Sequence, residues 1–105
     1  MIEETAFVHH VYFWLHNPDN VADRTALIDG LKTLSALQTI QSSHIGVPAE
    51  TFRGVVDRSY AVSSLLVFKN KEDQDSYQVD PMHLKFIADC KHLWNKVIVY
   101  DSIGA

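Results

Sequence analysis

Tyr77 and His83 stand on either side of an Asp80-Pro81 corner, where two side chains able to move a proton lie close together at a turn. An imidazole takes or gives a proton near neutral pH. A phenol donates to a carbonyl oxygen as negative charge develops on it. The pair therefore has the chemistry for enolisation, ring closure or removal of a proton next to a carbonyl, provided that both groups reach one dry pocket. Each also has a plainer reading. His83 at a helix start can cap the helix or bond to backbone, and Tyr77 can be a core aromatic with its hydroxyl paired.

The surrounding pattern shows what must hold them. Pro81 suits the first turn of a helix. Behind it His83, Ile87, Cys90 and Trp94 recur at spacings of four, three and four, one helix face, with Phe86 and Leu93 flanking it. Asn70 to Tyr77 reads as a short polar helix whose start is favoured by Asn70, Glu72 and Asp73. Phe7 to Leu15 alternates as a strand, with Phe7, His9, Val11, Phe13 and Leu15 on one face and Val8, His10, Tyr12, Trp14 and His16 on the other. Both faces are largely apolar or aromatic, yet helices in a domain this small cover only one. The uncovered face predicts a homodimer, with His10, Tyr12 and Trp14 in its interface.

Ser59 to Phe68 reads as the central strand, and Ser64 is a polar residue on its helix-facing side. It either pairs locally or marks a polar spot in a cavity. Ile40 to Val47 and Val97 to Tyr100 are the remaining strands, and residues 48–58 form an irregular loop. Asn20 caps a first helix that has Asp23 in its first turn and Leu27, Ile28, Leu31 and Leu34 on one face. Gly30 leaves room there for close packing on the sheet. The order is β-α-β-β-α-β with the second helix broken at Asp80-Pro81. That is an α+β, ferredoxin-like arrangement: a four-stranded antiparallel sheet with helices on one face.

Length and composition exclude several classes. The 105 residues fit a single domain spanning 1–105. Net charge is −4 and the nine Lys and Arg are scattered singly, so no nucleic-acid partner is expected. No apolar run approaches the roughly 20 residues of a membrane span, and Met1-Ile2-Glu3-Glu4 does not open like a signal peptide. Cys90 is the single cysteine, which leaves no internal disulfide and points to the cytoplasm. Its place mid-helix on an apolar face, away from activating charge, argues against a nucleophile. Six histidines suggest a metal, but His9 and His10 point to opposite faces, and His10 and His16 lie about 20 Å apart on a strand. No metal and no cofactor are expected.

The opening strand His9-His10-Val11-Tyr12-Phe13, the corner Tyr77…Asp80-Pro81-Met82-His83 and the closing Trp94-Asn95-Lys96-Val97-Ile98-Val99-Tyr100-Asp101 resemble the stress-responsive alpha/beta barrel (Dabb) family. The resemblance runs from Phe7 to Ser102. The corner is similar to the family's Tyr-x-x-His-Pro-x-His pattern, with Asp80 in place of its first His. Such a resemblance implies a dimer whose two sheets close into one barrel. The family is mixed in function: many members have no assigned activity, plant members are associated with stress, and a few are cofactor-free polyketide cyclases. In those, a Tyr and a His at the positions of Tyr77 and His83 form the acid–base pair, with a His at the position of His9 nearby. By the same likeness Val11, Phe13, Ser64, Phe86 and Trp94 would wall a substrate pocket between sheet and helices. The expectation is cofactor-free acid–base chemistry on a small carbonyl or phenolic compound. The alternative is a non-enzymatic ligand-binding or stress-response dimer, whose pocket Phe13, Phe86 and Trp94 would close.

Overall fold

A computed structural model describes residues 2–105. The chain order is β1 (Phe7–Leu15), α1 (Val21–Leu34), β2 (Ile40–Gly46), β3 (Val62–Phe68), α2 (Lys71–Gln78), α3 (Pro81–Cys90), a 3-10 turn (Lys91–Leu93) and β4 (Trp94–Ile103). The strands form one antiparallel sheet in the order β2-β3-β1-β4. This is the expected ferredoxin-like arrangement, and it seats β1 between β3 and β4.

Alternation along β1 sorts the layers as the sequence implies. Phe7, His9, Val11, Phe13 and Leu15 are buried, whereas Val8, His10, Tyr12 and Trp14 are half-buried on the opposite face. Val62, Ser64, Leu66 and Phe68 of β3 join the buried side, and α1 adds Leu27, Leu31 and Leu34. The other face carries an aromatic group: the Tyr12 ring lies 4.4 Å from His10, 4.9 Å from Tyr60 and 6.1 Å from Tyr100.

Each helix starts on a side-chain cap that satisfies a backbone N–H otherwise without a partner. Asn20 accepts from the Asp23 amide at 3.1 Å, Asn70 from Asp73 at 2.9 Å, and Asp80 from Met82 at 2.8 Å. Pro81 follows Asp80 and opens α3. It cannot continue α2, because it brings no N–H and restricts the residue before it. The break at the corner is thus written by two adjacent residues.

Several boundaries differ from the sequence reading. β4 begins at Trp94 and runs to Ile103, well beyond Val97–Tyr100, because it pairs along the whole of β1 from Leu15 to Phe7. Trp94 is therefore a strand residue and not a continuation of the α3 face, and Cys90 ends its helix instead of lying mid-helix. β3 starts at Val62, since residues 59–61 belong to the preceding loop, and β2 stops at Gly46. Asn70 caps α2 from outside, and His16 lies beyond the end of β1.

Gly30 makes its close approach to α3 and not to the sheet. A Cβ there would sit 3.1 Å from Cys90 Sγ and 3.2 Å from the Phe86 ring. Gly30→Val adds branched bulk at this crossing and is expected to destabilise the fold by about 1–3 kcal/mol, read as a lower denaturation midpoint with an unchanged slope.

Candidate functional site

The corner and the sheet together frame a cavity of about 280 Å³ between β1, β3, β4 and the helices. His9, Val11, Phe13, Ser64, Tyr77, His83, Phe86 and Trp94 all line it, so every residue expected at the site meets at one place. Ser64 takes the cavity option of its two readings. Phe13, Phe86 and Trp94 form a wall, with the Trp94 ring 5.0 Å from Phe13 and stacked 5.9 Å from Phe86, and they leave the space open. An engineered cavity of about 150 Å³ already holds benzene, so this one has room for a single substituted ring.

At the polar end the Tyr77 and His83 rings lie 4.4 Å apart, and His9 approaches Tyr77 edge-on at 6.0 Å. His83 Nδ1 lies 3.2 Å from the Gln78 carbonyl oxygen. That oxygen can only accept, so Nδ1 carries the proton and the neutral ring keeps a lone pair on Nε2. The backbone bond that would have been the plain role of His83 thus also fixes its tautomer for taking a proton.

Tyr77 is buried, and burial pushes its phenol well above the ordinary tyrosine value. Its hydroxyl stays protonated. Burial holds His83 below 6.5, and nearby His9 lowers it further, while the Gln78 carbonyl and Asp80 work in the opposite direction. At neutral pH the His83 imidazole is therefore neutral and the Tyr77 phenol keeps its proton. The two environments separate the roles.

The sequence reading missed Asp101. Its Oδ1 accepts from His9 Nδ1 at 2.6 Å, across the register that sets His9 opposite Asp101. His9 is buried and Asp101 half-exposed, so the carboxylate orients the ring from the rim of the cavity. The signal was parity: a strand carried past Tyr100 places Asp101 on the same face as Val97 and Val99. Among the described residues no three His, Cys, Asp or Glu side chains gather as metal ligands would, and no helix is long and apolar enough to cross a membrane.

The stress-responsive A/B barrel domain model matches residues 7–103. The chain belongs to this family. Solved structures agree on the Dabb fold. A Dabb family protein from Mesorhizobium loti with a ferredoxin-like fold is 20% identical, with a TM-score of 0.77 over 95% of this chain and 97% of that one. A hydroxynitrile lyase from Passiflora edulis is 15% identical, with a TM-score of 0.79 over 98% and 96%. A dimeric ferredoxin-like protein of unknown function from Thermobifida fusca is 13% identical, with a TM-score of 0.78 over 98% and 94%. At these identities the likeness carries fold and not activity. No curated protein matches the chain.

Burial also sets a pH dependence. His83 on the cavity side and His10 on the open face are both held below 6.5, His83 chiefly by burial and His10 by burial and then by His44 and His9. The unfolded chain takes up protons at these sites near pH 6.5, while the folded protein resists until lower pH. Stability is therefore full above about 6.5 and falls as pH drops through the lowered values. Thermal melts from pH 7.5 to 5 are expected to show this decline, and His10→Gln should flatten it.

Proposed function

We propose that this Dabb protein carries out cofactor-independent acid–base chemistry, cyclase- or lyase-like, on a small carbonyl or phenolic compound. The observation that carries the reading is the Tyr77–His83 pair, 4.4 Å ring to ring, on the wall of a cavity sized for one ring. His83 Nε2 takes a proton from the carbon next to the carbonyl, and the Tyr77 hydroxyl donates to the oxygen on which charge collects. His9, oriented by Asp101, assists at the same polar end. Val11, Phe13, Ser64, Phe86 and Trp94 hold the ring. A hydroxynitrile suits the same groups: the base removes the hydroxyl proton, the bond to the nitrile carbon breaks, and cyanide leaves as a carbonyl forms. The fold shared with the Passiflora lyase supports including that class.

The working unit in this proposal is a homodimer joined through the open sheet face, with His10, Tyr12 and Trp14 buried between the sheets. The half-buried aromatic group on that face supports it, as does the dimeric state named for the Thermobifida relative.

The test is deuterium exchange into an aryl methyl ketone in D2O, followed by NMR, beside thermal shifts with phenols and β-keto acids. Wild type should exchange faster than buffer and His83→Ala should not. Equal exchange in both proteins sinks the assignment. Ligand-induced shifts without exchange leave a binding dimer as the better description.

A further inference from the structure

The cavity lacks a wall. On its β4 side it is lined by Val97, Val99 and Asp101, all of them exposed to solvent. Val97 is 43% and Val99 46% exposed although both point to the helix layer. β4 is also an edge strand, so its outer row of backbone groups is unpaired within the sheet. An apolar edge of this length is one that proteins normally cover.

The same chain carries apolar side chains with nothing beneath them. Residues 47–61, the fifteen between β2 and β3, form a long connection without helix or strand, a length that is usually functional. It is held in shape by its own bonds. Arg58 Nε donates to the Ala49 carbonyl at 2.7 Å, the Val56 amide to Arg53 at 2.9 Å, and the Ser59 amide to Asp57 at 2.8 Å. Yet Phe52 is 77% and Val55 91% exposed, with the Arg58 guanidinium 4.6 Å over the Phe52 ring. The arm is shaped, and its apolar side chains face water.

The arm is continuous with the open sheet face. The Trp14 indole donates to Ser59 Oγ at 3.1 Å, and Tyr60 packs on Tyr12. A second copy seated on that face therefore meets the arm. The sheet's two edges are β2 and β4. A two-fold along the axis of a closed barrel sets β2 of one copy beside β4 of the other. Gly46, the last residue of β2 before the arm, lies at the sheet end that also holds Val62, Phe13 and Val97. One copy's arm then emerges beside the other copy's Val97.

We propose that the 47–61 arm of each subunit crosses onto β4 of its partner and covers the open mouth of the His83 cavity, so that each site is completed by a residue of the other chain, Phe52 foremost. The proposal rests on the homodimer reading above and adds to it a shared site. It makes the dimer a condition for a dry pocket and not only for stability.

Cross-linking between two different variants tests it. Phe52→Cys and Val97→Cys, each with Cys90→Ala, are purified separately, allowed to exchange subunits and treated with a short bis-maleimide. Val55→Cys serves as a second arm position. Sedimentation gives the oligomeric state and mass spectrometry the composition of the product. The expected product is a covalent dimer of one arm variant and one Val97 variant, absent when either is treated alone. A dimer that yields no such product from either arm position overturns the shared site and leaves the dimer standing. A monomer in sedimentation overturns both.

Discussion

His83→Ala is expected to lower proton exchange into a bound ketone by a factor of about 10² to 10⁴, the range that a positioned general base contributes. The fold should barely notice. His83 is half-buried, and the bond it gives up, to the Gln78 carbonyl, is worth only about 0.5–1.5 kcal/mol in stability. Tyr77→Phe makes the complementary cut. It keeps the ring packed on Phe68 at 5.2 Å and on His83 while deleting the hydroxyl, so it should slow exchange by about 10²- to 10³-fold with little change in melting temperature. Since burial keeps His83 below 6.5, the wild-type rate should be level at neutral pH and fall as acid protonates the ring. If His83→Ala retains the full rate and its pH profile, the base lies elsewhere.

Phe68→Ala should cost about 3–5 kcal/mol, as large-to-small changes at fully buried aromatic positions do. Phe68 is inaccessible to solvent and lies at the end of β3, where its ring meets Tyr77 at 5.2 Å and His9 at 6.5 Å. Domains are stable by only about 5–15 kcal/mol in total, so this loss is a large share. Chemical denaturation measures it. Phe68→Leu should recover much of the stability by filling most of the space, but it removes the aromatic support under both Tyr77 and His9. A variant that folds well and works poorly is the expected outcome.

Periodicity made much of this architecture legible. Alternation in β1 separated the buried from the open face residue by residue, and Asp80-Pro81 announced the break between α2 and α3. What failed was the transition after Cys90. Trp94 continues the three-and-four spacing of α3, yet it begins a strand, because nine paired positions along β1 outweigh one more helical turn. Shortening β4 at Tyr100 also hid Asp101, whose partner lies 92 residues away in sequence. No local pattern reports such a contact. The pattern around Gly30 points to the sheet, whereas its close approach is to α3, because a glycine signals close approach but not the direction it comes from.

The central place of β1 has a consequence for synthesis. It emerges from the ribosome early, but its two neighbours are β3 and β4, and β4 comes last. Until β4 appears, a nascent chain holds β1 with one edge bare and His9 without its carboxylate partner. Pairings of such wide sequence separation close late and slowly. The polar end of the cavity is thus among the final features to form, and a chain cut short before Asp101 would carry Tyr77 and His83 without the carboxylate that orients His9.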